Sequence, residues 1–239
     1  MLRMSQGPTD PRWPKLLSLA VHEFRTPITV VAGYIRMLLK DRAGPITDQQ
    51  RKLLEEAEKS CGRLSALVAE MSDLSNLEGG TAAVNRSTVD LRALVGEVIA
   101  TLPPTSDRDV IVDLQPGNDR ATIQGDATRL RAALAALIIA LRRELVTTDR
   151  LLVHVGTGMA NNSRAVMIAI GDEEQMPAIV AVDASTLPGF DEWRGGSGLS
   201  LAVARRVIAQ HGGMLLGPPG DGKAGAVAVL PLREPGTNP

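Results

Sequence analysis

Residues 18–39 read SLAVHEFRTPITVVAGYIRMLL. With Leu17 just ahead of them, the apolar residues Leu17, Val21, Phe24, Ile28, Val31, Ile35 and Leu38 recur at alternating steps of four and three. That is the spacing of a helix packed lengthwise along a partner helix. Pro27 interrupts it, removing a backbone donor and crowding the preceding turn, which costs roughly 3 kcal/mol inside an ordinary helix. A strong local pattern that carries an expensive exception is where function is to be sought.

Polar residues crowd the exception. His22 follows seam residue Val21 and so projects about 100° away from the packed edge. Thr26 lies one turn further along the same outer face, Glu23 and Arg25 flank the pair, and Pro27 leaves the carbonyl of Glu23 without its usual helical donor. Histidine can act as a nucleophile, and an adjacent carboxylate can orient the ring and accept its proton. On spacing alone, the alternative is a solvated helix face with one ordinary surface histidine.

The second helix is announced by its punctuation. Gly44-Pro45 makes the turn after a first helix expected over Lys15–Arg42, and T-D-Q-Q from Thr47 reads as a capping box with Gln50 at the reciprocal position. Leu54, Ala57, Cys61, Leu64, Val68 and Met71 continue the three-four rhythm up to the stop at Gly79-Gly80. Two narrow apolar seams are not both buried by one hairpin in water. Pairing two hairpins into a four-helix bundle buries them, which predicts a homodimer; the alternative packs the hairpin on its own C-terminal domain.

The remaining chain reads as α+β. Helices are expected over 90–102, 127–146 and 200–210, and strands over 109–114, 121–124, 151–155, 164–170 and 224–232, with a hairpin at Asn161-Asn162. Strands clustered late, with helices grouped before them, point to a two-layer sandwich rather than a parallel βαβ array. The domains expected are a flexible lead-in at 1–14, the helical hairpin at 15–80, the sandwich at 81–233 and a tail at 234–239.

Composition narrows the function classes. The 239 residues carry 26 basic and 27 acidic side chains, so nucleic-acid binding has no electrostatic footprint. The single cysteine, Cys61, falls on an apolar seam and reads as a small core residue; no intrachain disulfide is available and no metal-ligand set is read. No run approaches 18 apolar residues and the N-terminus lacks a signal-peptide core, so the expectation is a cytoplasmic protein, or the cytoplasmic part of something longer, with no membrane span.

HEFRTP, His22 to Pro27, matches all six positions of the H-box of sensor histidine kinases, H-E-[LF]-[RK]-T-P. The resemblance implies that His22 is phosphorylated on a ring nitrogen, that Glu23 is its acid/base neighbour, that Thr26 orients a water for dephosphorylating a partner, and that Arg25 is an electrostatic neighbour of the phosphoryl group. The partner implied is a response-regulator receiver domain.

The later chain is similar to the ATP-binding domain of these kinases, of the GHKL ATPase type. GDATRLRAALAALIIALRRE from Gly125 resembles the N-box helix, GSGLSLAVARRVIAQHGG from Gly196 the second glycine box with its helix, and Phe190 the aromatic of the F-box.

This ATP-like region departs from its pattern. Both N-box asparagines are alanines, Ala136 and Ala140, and an alanine methyl offers Mg²⁺ no oxygen. The first glycine box is replaced by Gly171-Asp172-Glu173-Glu174-Gln175-Met176-Pro177, in which Asp172 stands where an aspartate accepts the adenine amino hydrogen, or is displaced by one residue if Met176-Pro177 is aligned instead. Glu173 and Glu174 repel a triphosphate unless counter-ions intervene, and the following lid segment offers only Arg194 as a cation. Gly196 and Gly198 before the next helix retain a phosphate-receiving form.

These features imply ATP and Mg²⁺ binding that is weakened or lost. They read best as a histidine-kinase-family phosphotransferase working through His22 with ATP-driven autophosphorylation in question. A fully active ATP-dependent kinase and a non-catalytic dimeric scaffold are the alternatives. The intact HEFRTP argues against the scaffold, which has no use for Glu23, Thr26 or a costly proline.

Overall fold

The computed structural model describes residues 12–80, 83–104, 109–117, 121–145, 148–160, 163–193, 198–220 and 225–232. The lead-in up to residue 11, Asn161-Asn162, Arg194, Gly196 and the tail lie outside them. The chain divides into two compact units, one up to Ala82 and one from Ala83.

The first unit is an antiparallel hairpin of α1 (Trp13–Leu39) and α2 (Asp48–Glu78). Pro14 sits in the first turn of α1, where its missing N–H is no loss. The helix runs unbroken through Pro27 and ends three residues earlier than its periodicity suggests, because Asp41 turns the chain at φ 53°. Thr47 and Gln50 form the reciprocal capping box that starts α2, and Gly80, at φ 65°, follows its end in the left-handed conformation glycine tolerates.

Two polar clamps set the register of the hairpin. At one end Arg51 donates Nη1 to the Leu39 carbonyl at 2.8 Å and Nη2 to both carboxylate oxygens of Asp41. At the other, Ser75 Oγ donates to the Pro14 carbonyl at 2.8 Å. Between them Leu17, Val21 and Ile35 of α1 and Cys61 and Val68 of α2 are buried. The seam divides: Ile28 and Leu38 are half-buried, whereas Phe24 and Val31 remain 52% and 49% exposed.

The second unit holds a five-stranded mixed sheet, ordered β2-β4-β5-β7-β6, built from β2 (Ile111–Leu114), β4 (Arg150–Ala160), β5 (Ser163–Gly171), β6 (Met214–Leu216) and β7 (Gly225–Pro231). Only β2 and β4 run parallel. A separate antiparallel pair joins β1 (Ser87–Asp90) to β3 (Thr122–Gly125). The helices α3 (Leu91–Ala100), α4 (Ala127–Glu144) and α6 (Ser200–Gln210) make the second layer.

The α+β two-layer sandwich read from the sequence is thus present. The chain adds to it on the other face of the sheet, where the short α5 (Met176–Ala181) and a 3-10 turn at Ala184–Thr186 pack Met176, Ile179, Ala184 and Leu187 against Leu152, Ala165, Ala169, Val227 and Val229. Every residue of β7 but Pro231 is consequently buried.

Asp126 ties the helical layer together. Oδ1 accepts the N–H of Arg129 and so caps α4, while Oδ2 accepts the N–H of Asn85 ahead of β1, both at 3.1 Å. Its own N–H donates to His211 Nε2 at 2.9 Å, and His211 Nδ1 lies 2.7 Å from the Val207 carbonyl, which fixes the proton on Nδ1. Burial alone would push the Asp126 carboxyl upward; the N–H groups of Arg129 and Asn85 and the Arg129 charge outweigh it and hold the carboxyl below its ordinary range. A depressed carboxyl stabilises the fold above its unfolded-state pKa and loses that contribution as pH falls through the folded value. Asp126→Asn is therefore expected to lower the thermal midpoint at neutral pH, with the gap to wild type closing below about pH 4; melting curves at stepped pH check this.

Candidate functional site

The rotation of α1 that buries Leu17, Val21 and Ile35 turns His22 outward. Its side chain is 79% exposed, and Nδ1 lies 3.4 Å from Glu23 Oε1. The contact is long, and it orients the ring when the proton sits on Nδ1, leaving Nε2 as the nitrogen lone pair directed to solvent. Arg25 and Thr26 are likewise exposed. Thr29 Oγ1 donates to the Arg25 carbonyl at 2.8 Å, beside the gap that Pro27 leaves in the helical ladder.

Helical periodicity divides the exposed surface of the hairpin into two flanks. With His22 lie Lys15, Ser18, Arg25, Thr26, Thr29, Arg36 and Lys40 of α1, four of them basic and none acidic. The α2 side of that flank presents small exposed residues, Gly62, Ala66 and Ala69. The clamps set His22 level with about Val68, one residue from Ala69 along α2. The opposite flank is apolar: Leu16, Phe24, Val31 and Tyr34 of α1 lie with Leu53, Leu64 and Leu67 of α2, all exposed.

In the second unit, Ala136 and Ala140 of α4 differ in setting. Ala136 is half-buried, and Ala140 is 2% exposed among fully buried Leu137, Ile138 and Leu141. Neither carries an oxygen, so the α4 residues at these positions do not fit a Mg²⁺ ion.

Asp172 is 7% exposed, and both its oxygens are engaged by Gln175: Oδ1 by the backbone N–H at 2.8 Å and Oδ2 by Nε2 at 2.9 Å. These bonds close the turn that leads into α5, an element absent from the helices expected from sequence.

The repulsion expected from Glu173 is answered by a counter-ion. Arg150 Nη1 donates to Glu173 Oε1 at 2.8 Å while Nη2 holds Asp113. No sequence signal marked Arg150, because its partners lie 23 and 37 residues away. Downstream, Phe190 is buried, Glu192 pairs with Arg205 on α6, and Gly198 stands at φ 64° two residues before α6.

Comparison with known proteins agrees with this division. Residues 15–80 match the His Kinase A (phospho-acceptor) domain family. Over 211 residues the chain is 28% identical to the circadian input-output histidine kinase CikA of Synechococcus elongatus, covering 83% of this chain and 27% of that protein. It is 28% identical over 221 residues to the sensor-like histidine kinase SenX3 of Mycobacterium tuberculosis, covering 89% of this chain and 52% of that protein. The cell-division control histidine kinase PdhS of Brucella suis is 24% identical over 238 residues, covering 92% and 23%. The chain thus spans about half or less of the curated relatives it matches.

Among solved structures, full-length ShkA in complex with AMPPNP superposes with TM-score 0.61 at 22% identity, over 90% of this chain and 45% of that one. The Acinetobacter baumannii histidine kinase AdeS superposes with TM-score 0.53 at 20% identity, over 89% and 98%. These likenesses concern the fold. No helix among the described residues is long and apolar enough to cross a membrane.

If position 140 has become part of the core, restoring the metal ligand should fail. Ala140→Asn is expected to destabilise the second unit by about 1–3 kcal/mol, from overpacking and a buried amide, and to yield no rise in thermal midpoint with Mg²⁺-ATP. Calorimetric melts with and without nucleotide measure both.

Proposed function

We propose that this chain, a member of the sensor histidine kinase family, moves phosphoryl groups between His22 and an aspartate of a response-regulator receiver domain, with little or no autophosphorylation from ATP. The observation that carries the reading is the exposed His22 ring, with Glu23 at Nδ1, inside the matched phospho-acceptor domain.

The step balances without further reagents. The Nε2 lone pair attacks the phosphorus of the regulator's aspartyl phosphate, an N–P bond forms, the acyl P–O bond breaks and the aspartate leaves as carboxylate. Glu23 holds the Nδ1 proton as positive charge develops on the ring, and Thr26 is placed one turn away to direct a water in the competing hydrolysis. The basic residues Lys15, Arg25, Arg36 and Lys40 on the His22 flank suit the acidic surface of such a partner.

Transfer of this kind uses the hairpin and a metal held by the regulator. Attack on ATP needs a positioned γ-phosphate, and losing one preorganised contact typically costs about 2–4 kcal/mol in the barrier. Ala136, Ala140 and the replaced first glycine box remove several at once. The apolar flank supports the homodimer: an exposed band from Leu16 to Tyr34, continued on α2, is the surface two hairpins would bury.

Mixed with a ³²P-labelled receiver domain, the full chain should take label that is absent in His22→Ala, and Glu23→Gln should slow the uptake about a hundredfold. Fast labelling from Mg²⁺-ATP, lost in His22→Ala, would overturn the claim about ATP; no labelling by either route would leave only the scaffold. Phe24→Glu with Leu64→Glu is expected to convert a dimer to a monomer in sedimentation while the helical circular dichroism persists. A wild-type chain that sediments as a monomer would refute the bundle.

A further inference from the structure

The second face of the five-stranded sheet is only partly covered. On that face β4 presents His154, Gly156 and Gly158, paired in register with Ala169, Met167 and Ala165 of β5. The packing of α5 and the 3-10 turn leaves a half-open cavity of about 300 Å³ bounded by this floor and by Val180 to Asp183.

Three features mark its wall. Two glycines occupy inward positions of an 11-residue strand, where a ligand or another backbone commonly approaches. At Gly158 a Cβ would lie 2.5 Å from Met167 Sδ, so the thioether rests directly on the main chain and forms a deformable part of the floor. The half-buried His154 ring lines the cavity.

At the mouth, Asp183 Oδ1 accepts both the N–H and the hydroxyl of Ser185, which hold the carboxyl below its ordinary range. The rest of the wall is Thr157 and the apolar Met159, Val180 and Val182.

We infer that this cavity binds a small planar aromatic molecule of bicyclic size that carries an N–H donor. The Gly156 backbone, the imidazole and the thioethers of Met159 and Met167 suit a ring face. The imidazole and the ionised Asp183 supply acceptors, which makes the site anionic and donor-seeking. The volume is at the low end for small-molecule sites and excludes a nucleoside triphosphate. The site lies on the sheet face opposite α4 and α6, and Val180 to Asp183 of its wall belong to the segment that follows residues 171–177.

The probe is indole, with benzofuran as the isostere of the same shape that lacks the N–H. In the full chain labelled at methionine methyl groups, indole should shift the Met159 and Met167 resonances saturably and bind about tenfold more tightly than benzofuran, the consequence of leaving an acceptor unpaired. Ala181→Trp, an exposed position on the wall, should abolish the shifts with the thermal midpoint unchanged. His154→Phe should keep the fold and narrow the preference for indole. No saturable shift, equal affinity for the two probes, or shifts that survive Ala181→Trp in a folded protein would each overturn the inference.

Discussion

Burial of Leu17, Val21 and Ile35 against α2 fixes the rotation of α1, and that rotation decides where His22 points. A buried Leu, Val or Ile side chain contributes about 1.5–3 kcal/mol relative to exposure. Turning α1 by the 100° that separates Val21 from His22 would expose all three and bury an imidazole beside a carboxylate. The cost, of several kcal/mol, exceeds anything that the long His22–Glu23 contact returns. Outward display of the histidine is therefore a property of the apolar seam and not of the polar residues around it. The clamps at Arg51 and Ser75 complete the constraint by preventing α1 from sliding along α2.

The hairpin was legible because its signals are local and redundant. Periodicity, the Gly44-Pro45 turn, the Thr47–Gln50 capping box and the Gly79-Gly80 stop all point to the same two helices. What the heptad spacing did not disclose is that the seam divides. Positions such as Phe24 and Val31 lie at its edge, and a single partner helix covers only its centre, so residues with one sequence rhythm end in two environments.

The second unit was legible in its long elements and not in its short ones. The strong three-four pattern of α4 and the glycine stop after α6 sufficed for those helices. α5 has six residues with Pro177 in its first turn, too few for a period to show, and it is held by the Asp172–Gln175 bonds and by burial of Met176 and Ile179. β6 has three residues and exists through its ladder with β7. The Glu173–Arg150–Asp113 cluster joins positions far apart in sequence, which composition and spacing do not connect. In the candidate site, the outward placement of His22 and Thr26 followed from periodicity, whereas Phe24, expected on the packed seam, is exposed, and the bonds of Asp172 to Gln175 became visible only with the backbone of α5 in place.

The composition of α4 and of the turn at Asp172 also has a consequence for stability. An asparagine facing a metal must be kept wet or ligated, and it is a poorer helix former than alanine by several tenths of a kcal/mol. At Ala136 and Ala140 the exchange favours the helix, and Ala140 is sealed with Leu137, Ile138 and Leu141. Around Asp172 the carboxylates are matched to protein donors: Gln175 for Asp172 and Arg150 for Glu173. The match is incomplete, since Gln175 Oε1 is left buried without a partner among the described residues while Asp172 and Glu173 are met by protein donors. The orientation of His22, for its part, follows from the packing of α1 against α2.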